Sequence, residues 1–165
     1  MLKKMNLSWY LCLIIGLGFS NACKTKPVMK ENIQTIAFRL KPGEDLQTGI
    51  ENMATQHRLS AGWIATAVGS LTHYHIRFAN EPAGSTGEGH FEIVSLTGTL
   101  APSGNHLHLS ISDSTGKTIG GHLLKGCTIY TTAEIVLMAT NKYNFVREKD
   151  GSTDWEELQV REALK

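Results

Sequence analysis

The sequence predicts an α+β domain, a mostly antiparallel sheet of about seven strands with one principal helix. Three observations carry that expectation. Short runs that alternate apolar and polar residues recur from Gln34 to Val160. Only the stretch from Glu44 to His57 shows helical spacing. Strands and helices nowhere alternate as a parallel βαβ sheet requires, and no internal repeat or low-complexity block interrupts the pattern.

Gln34-Thr-Ile36-Ala-Phe38-Arg-Leu40 alternates cleanly and reads as the first strand, stopped by Lys41-Pro42-Gly43. Glu44 and Asp45 place acids at the positive end of a helix on which Leu46, Ile50, Met53 and His57 recur, so the Leu46/Ile50/Met53 stripe packs on the sheet. Gly49 weakens that helix by up to about 1 kcal/mol, which leaves tertiary packing to hold it. Gly62 to Val68 is a near-continuous apolar run, expected to be buried on both faces, and Gly69-Ser70 bends it into an alternating strand from Leu71 to Ala79. A flexible loop is expected from Pro82 to Gly89. Its glycines lack the lysine of a phosphate cradle and introduce no helix. His90 to Leu100 reads as the next strand and Cys127 to Thr140 as a long one. The tail, Tyr143 to Arg147 and Trp155 to Val160 about a turn at 149–153, reads as a closing hairpin or a short helix.

The stretch with the most chemistry is His106-Leu-His108, followed by Gly120-Gly121-His122. Strand side chains alternate, so His106 and His108 leave the same face. Leu109 to Lys117 reads as a hairpin with a three-residue Ser114-Thr115-Gly116 loop and Gly116 in the left-handed position. That register sets Asp113 against Lys117 and His108 opposite His122, where paired Cβ atoms lie roughly 4.5–5.5 Å apart. Three neutral imidazoles with one open position are the ligand set of a catalytic zinc site. The alternative is two histidines on a solvated strand face and a third in a glycine-rich bend. Zinc on three nitrogens would lower the pKa of its water to about 7 or polarise a carbonyl. Proton transfer would need a carboxylate, and Glu92 and Glu134 are the two acids inside apolar strands. Burial of either would require a partner. For Glu92 that partner is Arg39 on a structural reading, or the site itself on a catalytic one. Glu134 reads equally well as a solvent-facing strand-edge acid. His73 and His75 share the polar side of their strand with Arg77 and are expected to be solvated, as are His57 and His90.

The ends bound the compartment. Lys3 and Lys4 precede an apolar run from Leu7 to Phe19, which fits a secretory signal over residues 1–22. Ser20-Asn21-Ala22-Cys23 resembles a lipoprotein cleavage box, with Ser20 where an aliphatic residue is more usual. Processing there makes Cys23 the lipidated terminus and residues 23–33 a polar tether that anchors the domain, 34–165, to a bacterial membrane on its extracytoplasmic side. An uncleaved anchor or a plain secreted form is the alternative. Cys12 falls in the leader and Cys23 at the lipid, so Cys127 has no partner for a disulfide and reads as a buried apolar residue rather than a fourth ligand. The chain carries +1 with histidine neutral. Removing Lys3 and Lys4 leaves −1, without the basic footprint that phosphate backbones require.

Several segments together resemble one family. They are Arg39-Leu-Lys-Pro42-Gly43-Glu44-Asp45-Leu, Gly69-Ser70-Leu71, Phe91-Glu92-Ile-Val-Ser95-Leu96-Thr-Gly98-Thr, His106-Leu-His108-Leu, Gly116 with Gly120-Gly121-His122-Leu, and Thr132-Ala133-Glu134-Ile. In order and spacing, from about Ile36 to Leu158, they are similar to the PPC domain (plants and prokaryotes conserved), also called DUF296. The resemblance implies a trimer-forming fold with the three histidines near the subunit interface as a metal site, and a fold-level similarity to acetolactate decarboxylases. Prokaryotic members are often named predicted DNA-binding proteins, because in plants the domain follows AT-hook motifs. An AT-hook needs an Arg-Gly-Arg core, which this chain lacks.

Two functions follow as expectations. One is an extracytoplasmic homotrimer with a divalent metal, zinc, on His106, His108 and His122, acting on a small carbonyl or carboxylate compound with Glu92 as the acid–base group. The other is a non-catalytic binding module for a ligand, a protein or DNA.

Overall fold

The computed structural model describes residues 32–163. The expected signal segment, the cleavage at Cys23 and most of the tether lie outside those residues. Eight strands and one helix are described: β1 (Ile33–Leu40), α1 (Leu46–Gln56), β2 (Gly62–Arg77), β3 (Ser85–Ala101), β4 (Gly104–Ser112), β5 (Thr118–Leu123), β6 (Thr128–Thr140), β7 (Tyr143–Glu148) and β8 (Glu157–Glu162). Six strands form one sheet in the order β1-β6-β2-β3-β4-β5, antiparallel throughout, and β7 and β8 form a separate hairpin. The tail is thus a hairpin and not a helix.

The helix begins where Asp45 caps it, its carboxylate accepting from the Thr48 amide at 2.8 Å. The second oxygen of Asp45 accepts from the Gly126 amide at 2.7 Å, which ties the helix start to the β5–β6 turn. Leu46 and Ile50 are fully buried and share one core with Ile36, Leu40, Ile135 and Leu137, while Met53 packs at its edge. Gly49 earns its place by contact rather than conformation, because a Cβ there would come within 2.6 Å of both methyls of Leu40. The helix can therefore lie closer to β1 than any larger residue would permit.

Three expectations about the middle of the chain need correction. Gly62 to Arg77 is a single long strand and not two. Gly69 takes a φ of +148° and marks a register shift against β6, but the pairing continues. The loop expected from Pro82 to Gly89 is shorter, because β3 begins at Ser85 and pairs with the end of β2 from Ile76 back to His73. Finally, the Gly62–Val68 run is not buried on both faces. Its inward residues Ile64 and Ala67 are buried, whereas Val68 is 55 % exposed and Val94, on β3, is 57 % exposed. Helix α1 covers the inner side of the sheet, and nothing among the described residues covers Val68 and Val94 on the outer side.

The last residues of β2 run past β6 and pair with β5, Ile76 with Leu123 and Arg77 with His122. Strands β2, β3, β4 and β5 thereby close on one another. Leu107, Leu109, Ile111 and Leu123 fill the interior of that ring, and their neighbours in sequence must point outward.

Candidate metal centre

Alternation about buried leucines sets the direction of the three histidines. Leu107, 2 % exposed, and Leu109, 1 % exposed, anchor β4 inward, so His106 and His108 project from the outer face. The turn that follows has the expected chemistry. The Gly116 amide donates to the Asp113 carbonyl at 2.9 Å, Gly116 has φ +82°, and the Asp113 carboxylate accepts from the Thr115 amide at 2.8 Å and the Lys117 amide at 3.1 Å. Those contacts hold the Asp113 carboxyl below its usual pKa, the Thr115 hydroxyl being the largest influence. The resulting register sets His108 directly opposite His122.

One ring nitrogen from each of His106, His108 and His122 lies within 4.8 Å of the other two. The Nε2 atoms of His106 and His108 are 3.1 Å apart, and the ring centroids are separated by 4.9, 5.1 and 5.8 Å. Gly98 lets the backbones of β3 and β4 come together beside the rings. It sits on β3 against Leu107 with φ +140°, and a Cβ there would stand 1.9 Å from the His106 carbonyl oxygen. Burial pushes His122 down to about 4, with His106 and Arg77 adding to the effect. Burial likewise holds His106 below the ordinary histidine value, followed by the positive charge of Arg147. Near neutral pH both rings are therefore uncharged, the form that coordinates a metal. The Nδ1 of His122 is buried with no hydrogen-bond partner. An orphaned donor or acceptor of this kind calls for a ligand, and three convergent imidazoles fit a divalent ion of the zinc type.

The hairpin β7–β8 walls one side of the cluster. Arg147 on β7 donates from its backbone amide to Ser103 Oγ at 2.7 Å, and from Nη2 to the Glu156 carbonyl at 2.6 Å and to His106 Nδ1 at 3.4 Å. A cavity of about 640 Å³ lies between this hairpin and the sheet, lined by Arg77, His106, His122, Arg147, Trp155 and Glu157 among others. Glu157 is half-buried, and its charge partly opposes the lowering of His106. A second cavity of about 550 Å³ lies by the end of α1, lined by Glu51, Arg58, Leu100 and Ser103 among others, and it contains none of the three histidines.

The other sequence candidates fall elsewhere. Glu92 is exposed on β3, opposite Ser70 and Ser112, four residues along β4 from His108. At about 3.4 Å per residue, that separates it from the histidines by more than 10 Å within one chain. Arg39 does not pair with it: its side chain donates to Thr132 Oγ1 at 2.8 Å and to the Thr131 carbonyl at 3.4 Å. An exposed carboxylate needs no buried partner, so the premise that demanded one fails. Glu134 is exposed across from Arg39 and Val68. His73 and His75 are not simply solvated. Their Nδ1 atoms bond the carbonyls of Gly126 at 2.6 Å and Lys125 at 2.7 Å, which pins the β5–β6 turn. His90 is exposed and stacks on Tyr130 with centroids 4.2 Å apart, and His57 closes α1. Cys127 is fully buried, and burial raises its thiol to about 11.

Sequence reading missed Arg77, Arg147, Trp155 and Glu157 as residues of this site. One signal was available for Arg77, since β2 had to meet a partner at its end. Nothing in the spacing of the tail said where its hairpin would fold.

The profile of the Plants and Prokaryotes Conserved (PCC) domain matches residues 29–141. A bifunctional protein GlmU of Synechococcus sp. (strain JA-2-3B'a(2-13)) is 40 % identical over 147 residues, which cover 89 % of this chain and 23 % of that protein. The chain thus spans about a quarter of the length of the curated relatives it matches. Among solved structures, a hypothetical protein from Salmonella cholerae-suis is 36 % identical, with a TM-score of 0.79 over 82 % of this chain and 98 % of that one. A metal-containing protein from Archaeoglobus fulgidus has a TM-score of 0.67 at 21 % identity over 81 % and 99 % of the two chains, and shows the fold alone.

Proposed function

Because this chain belongs to the Plants and Prokaryotes Conserved (PCC) domain family, we propose that it is a divalent-metal protein of that family, with zinc held by His106, His108 and His122. The observation that carries the reading is the convergence of three imidazoles, two of them held neutral by their surroundings, beside an open cavity. The Archaeoglobus fulgidus protein of the same fold is metal-containing, which supports a metal here. Three protein ligands leave one position free, so a bound ion would supply Lewis-acid polarisation or an activated water for a small carbonyl or carboxylate compound. The chain's own residues do the rest. Leu107 and Leu109 fix the direction of the rings, Gly98 lets β3 and β4 approach beside them, and Arg147 holds the hairpin over the site. Glu92 does not line the cavity; of the three carboxylates that do, Asp154, Glu156 and Glu157, only Glu157 is half-buried, and we assign it the proton-handling role. A non-catalytic binding module would use the same cluster with the fourth position filled by protein. No carboxylate or thiol belongs to the cluster among the described residues.

The exposed apolar residues of the outer face, Val68, Val94 and Tyr130, suit contact between copies of the chain, which a homotrimer would supply. On the reading of residues 1–22 as a signal and Cys23 as a lipidated terminus, the protein would sit on an extracytoplasmic membrane surface. Elemental analysis of the purified protein tests the metal: wild type should carry zinc in stoichiometric amount, His108→Ala none, and His90→Ala the wild-type amount. Equal zinc in the two variants would refute the assignment. Cys23→Ser should release the protein from the membrane fraction, and a variant that stays wholly in that fraction would refute the lipid anchor.

A further inference from the structure

The cavity beside the histidines holds two guanidinium groups, neither of which has a carboxylate within 4 Å among the described residues. Arg147 reaches only a backbone carbonyl and His106 with its Nη2. Arg77 lies with its guanidinium carbon 5.1 Å from the centre of the Trp155 ring. The two ion pairs within 4 Å among the described residues, Lys125–Glu51 and Arg161–Glu148, involve neither. Both arginines are half-buried, so water satisfies their donors less fully than at an open surface. Unpaired arginines in a cleft beside a metal-ligand cluster are anion receptors.

We propose that this cleft binds a small organic carboxylate, clamped by Arg77 and Arg147 with one end directed at the three-histidine cluster. The inference rests on the metal reading only for the second half of that statement. Register makes the two ends adjacent, because Arg77 is the direct strand partner of His122. The contact of Arg147 with His106 adds a link. An imidazole that binds an ion through Nε2 carries its proton on Nδ1 and can no longer accept from Arg147 there. The Glu156 carbonyl would still accept from Arg147 Nη2, which keeps the guanidinium at the wall of the cavity. Rim charges favour a monoanion over a phosphate ester. The lining carries three cations, Arg77, Arg147 and Lys149, and three carboxylates, Asp154, Glu156 and Glu157, so a second negative charge finds no surplus of cation while the guanidinium forks accept one carboxylate. Trp155 provides an apolar cover for the organic part. Arg147, Trp155 and Glu157 all lie beyond residue 141, where the family match stops, so the terminal hairpin adds one arginine and the apolar cover to the Arg77 of β2.

The test uses glycolate as the carboxylate and glycolamide as its uncharged counterpart, titrated calorimetrically into purified protein with and without zinc. Glycolate should bind and glycolamide should bind at least about tenfold more weakly, and Arg147→Gln and Arg77→Gln should each weaken glycolate at least about tenfold. Melting curves of both variants show whether the fold is kept, and Arg77→Gln decides if Arg147→Gln unfolds. No glycolate binding, equal binding of glycolamide, or wild-type affinity in a folded Arg77→Gln protein overturns the proposal. Elemental analysis separates the two readings. Zinc without arginine-dependent carboxylate binding refutes the clamp and leaves the metal site standing. Arginine-dependent binding to a protein that never takes up zinc does the reverse.

Discussion

Replacing His122 by leucine should make the metal-free protein more stable while abolishing its response to zinc. The Nδ1 atom of His122 is buried without a partner, and such a group costs roughly 1–3 kcal/mol. The ring as a whole is only partly buried, so about 1 kcal/mol is the expected gain, or a rise in Tm of about 2–6 °C for a domain of this size. The gain should grow in acid. The folded-state pKa of about 4 lies below the unfolded value of about 6.5. The unfolded chain therefore binds the proton more readily, and wild-type stability, complete above 6.5, declines as pH falls toward 4. His122→Leu lacks that decline. With zinc at a hundred times its Kd, wild type should gain about 2.7 kcal/mol and the variant nothing. Thermal unfolding followed by circular dichroism at pH 7.5 and pH 5, with and without zinc, reads all of this. A variant that melts below metal-free wild type at pH 7.5, or that still responds to zinc, would show that the orphaned nitrogen is not the cost of holding a metal ligand.

Gly98→Ala must push a Cβ into the His106 carbonyl at a φ unsuited to alanine, and should cost about 1–3 kcal/mol in denaturant unfolding and weaken zinc binding. Unchanged zinc affinity would separate the strand contact from the cluster. Asp45→Ala loses bonds to Thr48 and Gly126 and should destabilise by about 1–3 kcal/mol in the same assay, more than a helix cap alone. Cys127, with its thiol near 11, should resist iodoacetamide at pH 8 in the folded protein and react in urea, as mass spectrometry would show. Rapid native-state labelling would contradict its burial.

The centre of the fold was legible because local chemistry and alternation agree there. Asp113, Gly116 and Lys117 define the turn, the turn defines the register, and the register pairs His108 with His122. Asp45 and the Leu46/Ile50 stripe define the helix in the same way. Errors arose where burial had to be judged from apolar content alone. Gly62–Val68 reads as two-sided because nothing in a single sequence shows which face lacks a cover. Glu92 drew notice as an acid among apolar residues, yet its cross-strand neighbours, Ser70 and Ser112, are polar and its own face is open. The tail was least legible. Arg147, Trp155 and Glu157 show no periodicity that aims them at the histidines, and their position depends on long-range contacts such as the Ser103 hydroxyl and the Ser60 carbonyl, which accepts from the Phe145 amide at 2.8 Å.

The division of labour between the closed ring of strands and the terminal hairpin has an evolutionary consequence. The three histidines and Arg77 sit on the ring of strands, whereas Arg147, Trp155 and Glu157 sit on an appendage joined to it by one short connection. Substitutions in that appendage can reshape the cavity while the histidine register, set by the Asp113–Lys117 turn, is inherited intact.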